Sequence, residues 1–273
     1  MSISKDELSV IVQEVLKNLK TAGAIPAASK GASISGGKGI FENVEDAIKS
    51  AGDAQKKLVE LPVVLRKKMI ENMRKRCMAK IEEIARIGVE DTGYGRIEDK
   101  IQKNTLAITK TPGMEDLQPV SYSGDNGLTI VEQAPYGIIG SITPSTNPSE
   151  TIICNSIGMI AAGNAVVFGP HPGAVKISTY MIELLNDAVV EVGGPANLMT
   201  MAAKPSIENA QVLMTHPSIR LLVVTGGPAV VAAAAKCGKK FIAAGPGNPP
   251  AVVDETADLK KAARDIVSGA TLD

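Results

Sequence analysis

Tryptophan is absent from this chain, and Tyr and Phe number only four and three. Proteins that grip single-stranded nucleic acid stack bases on aromatic faces, and here there is almost nothing to stack on. Charge excludes the same class independently. Lys and Arg total 29, Asp and Glu total 29, and the net charge is zero, so there is no basic footprint for a phosphate backbone or an anionic membrane. Histidine is scarce as well: His171 and His216 are the only two, which argues against a His-rich metal centre. Cys77, Cys154 and Cys237 have neither metal-ligand nor CxxC spacing, and reduced thiols in a cytoplasmic protein are the simplest account of them. No apolar run reaches the roughly 18 residues of a membrane span. The most apolar region, Ile152 to Phe168, is broken by Asn155, Gly158 and Gly163-Asn164. A secretory signal is not expected either, because Asp6 and Glu7 stand where a basic segment belongs.

What is present falls into parts. Leu8, Ile11, Val12, Val15, Leu16 and Leu19 form one apolar helical stripe with Lys5, Glu14, Lys17 and Lys20 off it. Ser4 and Glu7 supply a capping box at its start. So short a helix needs a partner surface. Residues 21–40, rich in Ala, Gly, Ser, Pro and Lys, read as a flexible linker. Residues 1–20 are therefore expected to be a docking helix on a leash. Gly36-Gly37-Lys38-Gly39 is no phosphate loop, since Gly rather than Ser or Thr follows the Lys.

Residues 41–273 form the expected body. From Val44 to about Thr109 the pattern is helical, and the charge runs Arg66-Lys67-Lys68 and Arg74-Lys75-Arg76 read as solvated faces. Pro112-Gly113 ends that part, and Leu128 to Glu132 reads as extended. Beyond Gly137 strands are expected near 138–142, 165–168, 198–201, 221–225, 241–244 and 251–253. Helices are expected near 148–162, 174–191, 206–214, 228–237 and 259–267. That alternation predicts an α/β fold, a parallel sheet with helices on both faces. Ligand should lie beyond the carboxyl ends of the strands, where Thr143 to Asn147, Gly169 to Pro172 and Thr225 to Pro228 fall.

The most informative stretch runs from Pro135 to Pro148. Gly137 to Ile142 alternates small and β-branched residues, as a close-packed strand does. Pro144 ends the pairing, and Asn147 stands as an N-cap before Pro148 at the first helical position. Asn147 has two readings: a cap, or an amide offered to a developing oxyanion beside a bound nucleotide.

Pro135-Tyr136-Gly137 leading to Pro144-Ser145-Thr146-Asn147-Pro148 is followed by Gly163-Asn164-Ala165-Val166-Val167-Phe168-Gly169-Pro170-His171-Pro172. Thr225-Gly226-Gly227 and Gly245-Pro246-Gly247-Asn248-Pro249-Pro250 come next. In that order they resemble the aldehyde dehydrogenase superfamily. The match is closest to the CoA-acylating, propionaldehyde dehydrogenase type of bacterial microcompartments, and it covers nearly the whole chain. The resemblance implies a Rossmann-like domain that binds NAD without a GxGxxG loop, and oxidation of a small aliphatic aldehyde with CoA as co-substrate. It implies that Asn147 stabilises the oxyanion and that Ile142, Thr143, Pro144 and Ser145 line the nicotinamide-ribose pocket. Thr225, Gly226 and Gly227 would lie at the pyrophosphate.

Two departures are informative. Where hydrolytic members carry a Lys on the adenosine ribose, this chain has Gly169, followed by Pro170-His171-Pro172. This suits a pocket that takes NAD and then CoA. Where they carry a water-activating Glu, it has Ala243-Ala244, which leaves a thioester for the CoA thiol to attack. The resemblance implies that the nucleophilic Cys lies shortly beyond Asp273, along with the catalytic domain, and none of the three Cys present has a neighbouring His or a cause of lowered pKa. The chain thus reads as a cofactor-binding portion, inactive alone. A non-catalytic cargo module and a piece of a bifunctional aldehyde–alcohol dehydrogenase are the alternatives. The N-terminal extension resembles encapsulation peptides. This implies a shell-protein partner for residues 4–20, a location inside a cytoplasmic microcompartment, and a homo-oligomer when full length. No metal is implied.

Overall fold

The computed structural model describes residues 39–245, 247 and 249–273. The expected docking helix and the expected linker up to residue 38 lie outside the described residues. Strand β1, Ile40–Phe41, opens the body. Four helices follow: α1 Val44–Glu60, α2 Val63–Ala79, α3 Ile81–Thr92 and α4 Ile97–Lys110. Each boundary has a local cause. Asn43 Oδ1 accepts from the Asp46 N–H at 2.8 Å to start α1. Pro62 separates α1 from α2. Gly93, at φ 69°, closes α3 in the left-handed region. After a 3₁₀ turn at Met114–Leu117, β2 (Val120–Gly124) and β3 (Gly127–Val131) form an antiparallel hairpin about Asp125-Asn126. All ten hairpin strand residues are exposed, on both faces.

The rest alternates as expected: β4 Ile138–Ile142, α5 Pro148–Ala161, β5 Ala165–Gly169, α6 Val175–Glu191, β6 Met199–Ala202, α7 Ile207–Thr215, β7 Ile219–Thr225, α8 Pro228–Lys236, β8 Phe241–Ala244 and α9 Leu259–Ala270. Residues 251–253 are not a strand. Pro249-Pro250 precede them with no N–H to donate, and Val252 is 92% exposed.

The sheet is parallel throughout, in the order β1-β6-β5-β4-β7-β8. Every residue of β4 and the first four of β5 are buried, as a parallel sheet covered on both faces requires. Gly140 and Ser141 show which helix takes which face. A Cβ on Gly140 would meet Leu222 Cδ2 at 2.9 Å and point toward the Leu213 carbonyl of α7. Ser141 Oγ accepts from Asn155 Nδ2 of α5 at 2.9 Å. Adjacent strand residues point to opposite faces, so α7, with α1 beside it, covers one face and α5 with α6 the other; α2, α3 and α4 stack outside α5 and α6.

The charge runs on α2 are not simply solvated. Arg66 donates to the Ala161 carbonyl at the end of α5, and Arg74 to the Ile108 and Thr111 carbonyls at the end of α4. Those last-turn carbonyls lack helical partners, and a guanidinium both satisfies them and complements the dipole.

Candidate active site and cofactor crevice

β4 is the pivot of the sheet. From it the chain winds outward through β5 and β6, then returns to place β7 on the other flank. The carboxyl ends of β4 and β7 therefore flank a switch point, where open α/β sheets bind ligands. Two of the three loops expected to bind meet here, Thr143 to Asn147 after β4 and Thr225 to Gly227 after β7; Gly169 to Pro172 follows β5 on the adjoining flank.

The β4 loop is pinned at both ends. Its Thr143 N–H donates to the Gly169 carbonyl at 3.2 Å, and Ile142 beneath is buried. Thr143 is 2% exposed and its Oγ1 has no hydrogen-bond partner among the described residues. A buried hydroxyl without a partner costs about 1–3 kcal/mol, an expense that a bound ligand would remove. Pro144 and Ser145 are half-buried in the loop beyond. At its far end the Asn147 carbonyl accepts from the Thr151 N–H at 3.1 Å and from Thr151 Oγ1 at 2.6 Å, which begins α5.

The Asn147 side chain does not cap α5, contrary to expectation. Its backbone, at φ −134° and ψ 54°, departs from the extended geometry of a cap. Its Oδ1 instead faces Lys103 Nζ, and Nδ2 lies 3.4 Å from Thr146 Oγ1. An ammonium is a stronger partner than a backbone N–H.

Around this loop lies a cationic cluster that the sequence did not reveal. Lys100 of α4 is 1% exposed; its Nζ donates to the Thr146 carbonyl at 2.6 Å and to Asp273 Oδ2 at 2.8 Å. Lys103 joins the same Asp273 carboxylate. The Asp273 N–H donates to Asp99 Oδ2 at 3.2 Å, and Arg96 holds Asp99 at 2.6 Å. Burial pushes the Asp273 carboxyl up, but hydrogen bonds from Lys100 and Lys103 outweigh it and hold the group below its usual range. The signal was an inversion on α4: Lys100, Asn104, Ala107 and Ile108 are buried while Ile97 and Leu106 are exposed.

The remaining expected residues are placed as follows. A Cβ on Gly169 would meet Leu213 Cδ1 at 2.9 Å, so packing under the sheet already accounts for the glycine. Pro170 is buried beside it. His171 Nδ1 accepts from the Gly173 N–H at 3.0 Å, starting the turn at Pro172–Ala174, and burial lowers its pKa. It stands neutral, with only Nε2–H left to donate. Thr225 and Gly226 end β7, where the Gly226 N–H donates to the Ala244 carbonyl at 3.4 Å. Gly227 precedes α8 at φ −65°, and nothing lies within 4 Å of where its Cβ would be. Neither conformation nor packing demands glycine there. Ala243 and Ala244 end β8 in exposed positions.

The three thiols are dispersed. Cys77 is 1% exposed, and burial pushes its thiol up to about 12, which keeps it protonated. Cys154 Sγ accepts from Thr111 Oγ1 at 3.0 Å, and Cys237 Sγ donates to the Ala234 carbonyl at 2.9 Å. No described helix is long and apolar enough to cross a membrane.

Comparison with known proteins agrees with this fold. The sequence profile of the aldehyde dehydrogenase family matches residues 29–273. An acetylating acetaldehyde dehydrogenase of Bilophila wadsworthia is 47% identical over 278 residues, covering 100% of this chain and 57% of that protein. A propionaldehyde dehydrogenase from the fucose utilisation microcompartment of Clostridium phytofermentans superposes with a TM-score of 0.84 at 48% identity, covering 86% of this chain and 54% of that one. The Rhodopseudomonas palustris propionaldehyde dehydrogenase, solved with bound propionyl-CoA, gives a TM-score of 0.83 at 48% identity, covering 90% and 55%. This chain thus spans about half the length of the relatives it matches. With the fold, the order of motifs and the profile in agreement, the chain belongs to the aldehyde dehydrogenase family.

Proposed function

We propose that this chain is the NAD- and CoA-binding portion of a CoA-acylating aldehyde dehydrogenase, which converts aldehyde, NAD and CoA to acyl-CoA and NADH. The observation that carries it is the β4 loop, where a buried Thr143 hydroxyl without a partner among the described residues and an Asn147 amide whose Nδ2 makes only one long bond, 3.4 Å to Thr146 Oγ1, stand together at the switch point. NAD, when bound, accepts the hydride. Ile142, Thr143, Pro144 and Ser145 line its nicotinamide-ribose end. Thr225, Gly226 and the open backbone at Gly227 receive the pyrophosphate near the N-terminus of α8. Gly169, Pro170, His171 and Pro172 border the adenosine end, which NAD and CoA occupy in turn; a neutral His171 serves there as a hydrogen-bond donor rather than a cation. Asn147 donates its amide N–H to the oxyanion formed when a thiolate adds to the aldehyde carbonyl. At the end of β8 the alanines Ala243-Ala244 provide no base for water, so the thioester persists until CoA thiol attacks. The substrate class is a small aliphatic aldehyde, as the names of the relatives suggest. A homo-oligomer is part of the same proposal, with the bare β2–β3 hairpin available for pairing.

Calorimetric titration of the 273-residue chain with NAD, with and without CoA, tests this. NAD should bind, CoA should compete, and propanal should yield no NADH, because none of the three thiols is poised to react. Failure of NAD to bind would overturn the proposal. Turnover abolished by Cys154→Ala or Cys237→Ala would show that one of these thiols is the nucleophile.

The docking role of residues 4–20 belongs to the same proposal, with a shell protein of a bacterial microcompartment as partner and its lumen as location. It is supported by the stripe from Leu8 to Leu19 and by the origin of the C. phytofermentans relative. Deleting residues 1–20 should leave Tm almost unchanged and abolish co-purification with shell protein. A large fall in Tm would mean that the stripe packs on the body instead.

A further inference from the structure

The unusual feature outside the assigned residues is the lysine pair of α4. Lys100 and Lys103 lie one turn apart on its inward face and meet one carboxylate, Asp273, on one side and the Asn147 loop on the other. A lysine ammonium has three donors and no acceptor. Whichever end of the Asn147 carboxamide faces Lys103 must therefore be the oxygen, and the Nδ2 hydrogens must point away from it. An unrestrained asparagine amide turns readily about its last torsion, which is broad and roughly two-fold. Half of those orientations would present an oxygen lone pair to a developing oxyanion.

We propose that Lys103 is a positioning residue for Asn147: it holds Oδ1, turns the N–H edge toward the reacting carbonyl, and is itself held by Asp273, while Lys100 fixes the loop through the Thr146 carbonyl. This rests on the assignment of Asn147 as the oxyanion donor. A cation on the amide oxygen also polarises the group, so its N–H becomes a stronger donor. Lys103 thus acts on the oxyanion through the amide alone, without touching it. Asp273 keeps the ammonium from swinging toward solvent, since Lys103 is still 24% exposed at its side chain.

The test is a double-mutant cycle in the complete enzyme that carries this segment, with Lys103→Met, Asn147→Ala and both together. For each, kcat, KM for aldehyde, Kd for NAD and Tm are measured. Lys103→Met should lower kcat about tenfold or more, with Kd for NAD and Tm little changed, and Lys103→Arg should recover much of the loss. The double variant should be no slower than Asn147→Ala alone, because Lys103 acts only through that amide. Losses that multiply, or a Lys103→Met enzyme of normal kcat beside a crippled Asn147→Ala, would overturn the positioning role and leave the Asn147 assignment standing. A fully active Asn147→Ala would instead sink the assignment itself. Should Lys103→Met fold poorly, Lys103→Gln removes the charge while keeping a polar end, and the same cycle applies.

Discussion

Asn147→Ala in the complete enzyme is expected to cut kcat by about 100-fold or more while NAD affinity stays nearly constant. The amide acts on charge that exists only as the tetrahedral adduct forms, so its removal falls on the transition state and not on the ground-state complex. Stability should hardly move. Loss of a side-chain N-cap costs about 1 kcal/mol, but the Asn147 side chain makes no cap bond to lose. Asn147→Asp sharpens the comparison. A carboxylate here would pair with Lys103 and could stabilise the fold, yet it would repel an oxyanion. Stopped-flow measurement of NADH formation alongside thermal melting separates the two roles. An Asn147→Asp enzyme that keeps nearly full activity would reduce the residue to a structural part of the turn.

Lys100→Met should damage the folded chain severely, costing about 3 kcal/mol in urea melts. The lysine is 1% exposed, and its charge is compensated by the Thr146 carbonyl and Asp273. Methionine fills much of the volume but leaves the Thr146 carbonyl unpaired and Asp273 dependent on Lys103 alone. The effect has a pH signature. Asp273 is held below its usual range, so the stability it contributes is complete above the unfolded carboxyl value, about pH 4. That contribution is lost as pH falls through the lower folded value. The Lys100→Met penalty should accordingly shrink in acid. A penalty below about 1 kcal/mol at neutral pH would mean that the cluster around Asp273 is not a structural anchor.

The sheet and its covering helices were legible because a parallel sheet demands continuous apolar strands between amphipathic helices. Ile138–Ile142, Ala165–Gly169 and Ile219–Thr225 obey that rule closely. Where the rule lacked support it failed. Ala251-Val252-Val253 has strand composition but no neighbour to pair with. β2 escaped notice because Val120–Gly124 carries as many polar as apolar residues and pairs only with the next strand. Chain order alone put Thr143 and Asn147 on the loop after β4, where the structure has them. Their partners were not visible, since Lys100 and Lys103 are 40-odd residues away in sequence and sit on a helix that no motif marked. Charge content does not say which face is turned inward; only the docking of α4 against α5 does. The same ignorance made Arg66 and Arg74 look like surface residues when they finish other helices.

The place of β1 in the sheet has a consequence for synthesis. Ile40 lies opposite Met201, and Phe41 opposite Ala202, so this segment pairs with one made much later. Until Met199–Ala202 emerges, β1 has no edge to join and the apolar side of α1 is only partly covered, by β4 and β5. Once it does, β4, β5 and β6 can close around β1 and α1, leaving β7 and β8 to be added from the opposite flank. A nascent chain of this protein is thus most open to chaperone capture up to that point, and a translational pause just beyond β6 would favour correct closure.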